Sequence, residues 1–145
     1  MKRLAALPTL VLIIGLMASC ANRSADTTHS KNEKLIKDYY GAYEKKDWHV
    51  MEAILAYEFT FSSPAGDDHI NLKTYKDRCW PNCDKTKKFN IERIIENGDE
   101  AFVTYTGWTT NDKSFRNTEY FKFKEGKIIE NECFFGAGIN FPNNQ

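Results

Sequence analysis

The chain has 145 residues, of which 28% are charged, 41% hydrophobic and 14% aromatic, values that suit one folded domain and exclude intrinsic disorder. Basic and acidic side chains balance at 20 each, which excludes an electrostatic clamp on nucleic acid. The same composition excludes collagen, a coiled coil and a disulfide-dense miniprotein.

Lys2 and Arg3 precede an uncharged, mostly apolar run from Leu4 to Met17, and Ala18, Ser19 and Cys20 follow. A positive start, an apolar run and small residues form a secretory leader. The run is short for a spanning helix, which needs about 20 apolar residues. Met17-Ala18-Ser19-Cys20 resembles the lipobox of bacterial lipoproteins, although Met stands where Leu is commoner. The resemblance implies a signal peptide over 1–19 and lipidation of Cys20 as the new N-terminus. It also implies a membrane held through the lipid anchor. Ala21, rather than Asp, directly after the Cys fits sorting to the outer membrane. Without residues 1–19, which carry Lys2 and Arg3 and no acid, 18 basic side chains face 20 acidic ones, a net of −2.

Residues 20–31 are small and polar and read as a tether. Ser30-Lys31-Asn32-Glu33 matches a capping box. Leu35, Ile36, Tyr39, Tyr40 and Tyr43 then recur at helical spacing, so a first helix is expected over about Asn32 to Lys46. Asp47 can cap a second helix with Trp48, Met51, Ile54 and Leu55 on one face. Glu58–Ser62 reads as a strand and Ser63-Pro64-Ala65-Gly66-Asp67 as a turn. Asn71 can cap a third helix carrying Leu72, Tyr75 and Cys79, with Pro81 as its stop.

From Lys88 the period becomes alternating. Strands are expected over Lys88–Glu96, Ala101–Thr109, Phe115–Lys124 and Lys127–Phe135, joined by turns at Asn97-Gly98-Asp99, Asn111-Asp112-Lys113 and Glu125-Gly126. Helices first and a meander last predict an α+β fold with helices packed on one face of an antiparallel sheet.

Three segments carry a family resemblance. Glu119-Tyr120-Phe121-Lys122-Phe123-Lys124-Glu125-Gly126-Lys127-Ile128-Ile129, with Phe134-Phe135-Gly136, resembles the last hairpin of the nuclear transport factor 2-like superfamily, which includes ketosteroid isomerase and SnoaL-type polyketide cyclases. Tyr43 to Asp47 running into Trp48–Leu55 resembles its first two helices. Thr60-Phe61-Ser62-Ser63-Pro64-Ala65-Gly66 resembles its first strand and the following loop.

The resemblance implies a SnoaL-like domain over 32–136, with residues 137–145 as a tail. Its fold is a cone-shaped, curved antiparallel sheet with three N-terminal helices on the concave face. Between them lies a pocket of the kind that binds small molecules. Carried over from ketosteroid isomerase, the two oxyanion donors fall on Tyr39 and Glu119 and the base position falls on Ser63. A serine hydroxyl does not abstract a carbon-bound proton near neutral pH without activation. Asp67, Asp68 or His69, just beyond it, are candidate substitutes.

On this placement Glu119 is the candidate buried acid and Tyr39 its neighbour. Each also has a plain structural reading, Glu119 as a salt bridge to a helix and Tyr39 as packing. Tyr43, Phe61, Ser63, Tyr105, Trp108, Phe121, Asn131, Cys133 and Phe135 are the expected pocket residues, Trp108 only if a bulge turns it inward. Tyr120 and Phe134, facing outward, are candidates for a homodimer interface.

Cys79-Trp80-Pro81-Asn82-Cys83 admits a local disulfide between Cys79 and Cys83, leaving Cys133 free, and forms a candidate lip over the pocket. Three cysteines without a spaced fourth ligand argue against a metal site. No phosphate-cradling glycine loop is present, and no cofactor is expected. Three functional classes stay open. They are an envelope lipoprotein that binds a small hydrophobic ligand, an isomerase, cyclase or hydratase using Glu119 and Tyr39, and a non-catalytic structural or interaction domain.

Overall fold

Local signals at three helix starts are realised as side-chain caps. The computed structural model describes Ser30–Phe135; the leader 1–19, Cys20, the tether up to residue 29, Gly136 and the tail lie outside the described residues. Helix α1 spans Lys31–Lys45, and the Glu33 N–H donates to Ser30 Oγ at 2.9 Å. The same hydroxyl donates to Glu96, which ties the helix start to the sheet. Lys46 turns left-handed at φ 58°, ending α1. Asp47 then caps α2, Trp48–Ile54, and Asn71 caps α3, Leu72–Arg78. Helix α3 stops before Pro81. The proline sits inside a following 3-10 turn, Trp80–Lys85, where its missing N–H costs nothing.

Six strands form one sheet. They are β1 (Leu55–Ser63), β2 (Asp67–Asn71), β3 (Thr86–Asn97), β4 (Glu100–Thr109), β5 (Ser114–Lys124) and β6 (Lys127–Phe134). Their spatial order is β2-β1-β6-β5-β4-β3. The fold is α+β, with helices followed by a curved sheet. All pairings are antiparallel except β1 with β6, which is parallel, so the sheet is mixed. That pair is separated by the whole meander and α3, and a long connection is what parallel neighbours require.

Strand β2 is absent from the sequence reading. Asp and Asn are poor strand formers, and Asp67–Asn71 becomes a strand by pairing with β1 across the turn containing Gly66, which adopts φ 93°. The three hairpins of the meander fall at the expected turns, with left-handed Gly98 in the first, Asp112 in the second and Glu125-Gly126 in the third.

One face of the meander is buried. Ala101, Val103 and Tyr105 of β4 and Glu119, Phe121 and Phe123 of β5 point to the helices, as the period of two requires. Phe121 is fully buried against Tyr39, with ring centroids 5.2 Å apart at 79°. Ile36, Met51, Phe59, Tyr75 and Ile128 complete the core.

Gly107 sits on this inner face, opposite Phe115. A methyl group there would meet the Phe115 ring at 2.4 Å. Gly107→Ala is expected to destabilise the protein by about 1–3 kcal/mol in urea unfolding. Adding Phe115→Ala should recover part of that loss, because the two changes share one contact. Strict additivity of the two would mean that the ring does not set the limit.

Candidate functional site

A cavity of ≈ 240 Å³ lies between the helices and the buried face of the sheet. Helix α1 supplies Tyr39, Tyr40 and Tyr43, and α3 supplies Tyr75. Strands contribute Phe61, Ser63, Phe89, Tyr105, Phe115, Asn117, Glu119 and Cys133, and Phe135 follows β6. The lining is largely aromatic, with few polar groups, which is the usual make-up of a small-molecule site.

Glu119 is the central polar group. Its carboxyl is buried and accepts from Tyr105 Oη on Oε1 at 2.8 Å and from Tyr40 Oη on Oε2 at 2.9 Å. Asn131 Nδ2 approaches Oε2 at 3.4 Å. Among the described residues, no cation is among its hydrogen-bond or ion-pair partners. Burial pushes the Glu119 pKa above the ordinary 4.5, while its hydrogen bonds pull the other way. Burial also pushes the Tyr39, Tyr40 and Tyr105 hydroxyls well above 10, so all three stay protonated donors.

Tyr39 does not touch Glu119. Its hydroxyl donates to Asn131 Oδ1 at 3.3 Å and lies 2.7 Å from Tyr75 Oη. Because the Tyr39 hydrogen goes to Asn131, Tyr75 is the donor in the phenol pair. A chain therefore runs from Tyr75 through Tyr39 and Asn131 to Glu119. The direct helix partner is Tyr40, one residue along and about 100° round the helix, where both neighbours face the sheet. Helical spacing alone does not choose between Tyr39 and Tyr40, since Leu35, Ile36, Tyr39, Tyr40 and Tyr43 form one stripe.

Tyr43, Phe61, Ser63, Tyr105, Cys133 and Phe135 line the cavity. Three other expected residues do not. Phe121 and Asn131 are fully buried behind the lining, Phe121 as the floor under Tyr39 and Asn131 as a link to Glu119. Trp108 lies on the other face. β4 pairs with β5 in unbroken register from Glu100 to Trp108, so no bulge rotates it inward, and Lys88 Nζ covers its ring at 4.4 Å. Tyr40, Tyr75 and Asn117 also line the pocket, a role the sequence does not assign to them.

The acids after Ser63 separate. Asp67 is buried in the cavity wall and accepts from Ser63 Oγ at 2.8 Å. Asp68 and His69 are exposed and pair with each other at 2.6 Å. His69 Nε2 lies 3.7 Å from Glu130, on the opposite face of the sheet from the pocket. The hydrogen bond that His69 donates to Asp68 raises the His69 pKa from 6.5. Neither reaches the cavity.

Cys79, Cys83 and Cys133 are buried free thiols, so the expected Cys79–Cys83 bridge is not formed. Cys79 Sγ turns to Asp67 Oδ2 at 3.8 Å and lines the cavity, whereas Cys83, inside the 3-10 turn, does not. Burial pushes the Cys79 thiol up to about 11 and the Cys133 thiol higher still, which makes both poor nucleophiles. The segment nevertheless borders the pocket. Tyr43 Oη donates to the Cys79 carbonyl at 2.9 Å, and Trp80 packs edge-on against Tyr43 and Trp48.

No functionally curated protein matches the chain. Solved structures do. A protein of unknown function with a cystatin-like fold from Methylobium petroleophilum is 22% identical, with a TM-score of 0.66 over 81% of this chain and 84% of that one. A Kribbella flavida protein provisionally assigned as a ketosteroid isomerase is 14% identical, with a TM-score of 0.64 over 76% and 81%. A Sinorhizobium meliloti protein provisionally assigned as a polyketide cyclase is 16% identical, with a TM-score of 0.58 over 72% and 99%. At these identities the likeness is one of fold. The family model for the SnoaL-like domain matches residues 36–131, which take in most of α1 and of the meander with Tyr40, Tyr105, Glu119 and Asn131, and the chain belongs to that family.

Proposed function

We propose that this protein is an exported lipoprotein, acylated on Cys20, whose SnoaL-like domain holds a small apolar or polycyclic molecule in its aromatic cavity. The observation that carries the reading is the Glu119 carboxyl, buried without a cation in the wall of a cavity of ≈ 240 Å³. A purely structural acid in a core is ordinarily ion-paired, because an unpaired charge there is costly. A carboxyl held by two phenols and an amide, its pKa pushed up by burial, is suited to a carbonyl or hydroxyl on a ligand. The surrounding rings supply the apolar contact.

Catalysis is the second reading, and the same acid favours it. A protonated Glu119 with phenol donors around it can stabilise charge that develops on a substrate oxygen, as an isomerase, cyclase or hydratase requires. Tyr40 and Tyr105 act directly on Glu119 in this scheme, and Tyr39 acts through Asn131. The fold neighbours provisionally assigned as a ketosteroid isomerase and a polyketide cyclase support the same class. With Ser63 at the base position, binding ranks first.

Native mass spectrometry of the full chain, purified from the envelope of the producing cells, tests both halves. The expected result is an acyl mass that Cys20→Ala abolishes, with release of the chain into the soluble fraction, and a co-purifying small molecule. A chain that carries no ligand and shows no affinity for two-ring aromatic probes would leave only the structural class. Glu119→Gln is expected to weaken binding of 2-acetylnaphthalene about tenfold in calorimetry, the order of one hydrogen bond to a buried polar group. Equal affinity in variant and parent would remove Glu119 from the site.

The raised pKa of Glu119 also sets a pH dependence. The folded chain holds this proton more tightly than the unfolded one does. The associated stability is complete below the ordinary 4.5 and is lost as pH rises through the folded value. The melting temperature of the parent relative to Glu119→Gln should therefore be constant below about pH 4.5 and fall above it. A pH-independent difference between them would show an acid that ionises as freely in the fold as in water.

A further inference from the structure

A second polar group lines the cavity at the β1–β2 hairpin. Ser63 ends β1 and Asp67 begins β2, and the two are register partners. Ser63 Oγ and Asp67 Oδ2 are 2.8 Å apart. The Asp67 side chain is only 7% exposed, Arg78 Nη2 stands 3.0 Å from its Oδ1, and Cys79 Sγ donates toward Oδ2. A carboxylate facing a guanidinium only accepts, so the hydroxyl hydrogen of Ser63 is committed to Asp67.

A serine hydroxyl has one hydrogen and two acceptor sites. One acceptor site of Ser63 is taken by the Ala65 N–H at 3.2 Å. What it can still offer the cavity it lines is a single acceptor site. We infer that Ser63 is a specificity-determining residue of the pocket, accepting a hydrogen bond from a hydroxyl on an otherwise apolar, uncharged ligand. Asp67 is the positioning residue that turns the Ser63 hydroxyl that way. The inference rests on the cavity being a ligand site, and it names the ligand class as hydroxylated ring compounds. Charge fits that class, because Asp67 is already paired with Arg78 and Glu119 has no cation beside it.

The Asp67 role has a distinctive consequence. In Asp67→Asn the amide carbonyl takes the place facing Arg78, and the amide nitrogen takes the place facing Ser63. That nitrogen donates to Ser63 Oγ, which frees the serine hydrogen for the cavity. The pocket then reads an acceptor on the ligand in place of a donor.

Calorimetry on the full chain with naphthalene, 2-naphthol and 2-methoxynaphthalene tests this. An apolar cavity of about 150 Å³ admits benzene, so two fused rings suit one of ≈ 240 Å³. The parent is expected to bind 2-naphthol about tenfold more tightly than 2-methoxynaphthalene, one hydrogen bond's worth. Ser63→Ala should bring the two within about twofold while leaving naphthalene unchanged. Asp67→Asn should favour the methyl ether, and a loss of packing alone would not reverse the order. Absence of naphthalene binding in the parent would overturn the pocket reading as a whole. Naphthalene binding with equal affinity for the other two probes, or a naphthol preference that survives Ser63→Ala, would overturn the Ser63 role alone. An unchanged naphthol preference in Asp67→Asn would overturn the positioning role. The Ser63→Ala comparison decides the matter if circular dichroism shows that the asparagine variant does not fold.

Discussion

One buried carboxyl without a counter-ion constrains the rest of this molecule. Removing Glu119 from water is unfavourable, and only hydrogen bonds to its oxygens offset that. Tyr40, Tyr105 and Asn131 supply them from a helix and two strands. Each of those donors needs its own support. Asn117 Nδ2 donates to Tyr105 Oη at 3.3 Å, and Asn131 donates to the Tyr120 carbonyl while accepting from Tyr39. Helix α1 can therefore sit at only one rotation and depth on the sheet without leaving a buried polar atom unsatisfied. The cavity lies between this polar network and the aromatic rings that line it.

Much of this architecture is legible in the sequence where the signal is local. Ser30, Asp47 and Asn71 cap their helices because each side chain reaches a backbone N–H three residues on. Gly98 and Glu125-Gly126 set hairpins because those turns need positive φ. Alternation from Ala101 onward places Tyr105, Glu119 and Cys133 on the buried face. The features that escape are those decided by distant partners. Asp67–Asn71 has no strand composition and extends because β1 lies beside it. The parallel β1–β6 pairing depends on where the whole meander returns.

The site shows the same division. The family resemblance nominates Glu119 and Ser63, while residue type and face nominate Tyr105 and Phe61. The choice of Tyr40 over Tyr39 as the partner of Glu119 turns on the helix's rotation against β5, which the stripe of tyrosines leaves undetermined. Trp108 stays outward because β4 and β5 keep register, a property of the pair and not of either strand. Cys79 and Cys83 have a spacing that allows a bridge, yet both thiols are free, the first engaged by Asp67 and the second inside the 3-10 turn that follows α3.

Strand β3 ends the sheet and is its longest strand, at 12 residues. Such a free border invites a neighbouring molecule to add a strand of its own. Here the border is broken twice, by register shifts at Thr86/Lys88 and Ile91/Arg93, and it carries Lys87, Lys88 and Arg93. Glu44 of α1 also takes up the Phe89 N–H. The kinks, the cations and the occupied amide together leave no straight ladder of vacant donors, so the margin of the molecule resists the edge-to-edge growth that begins fibrils.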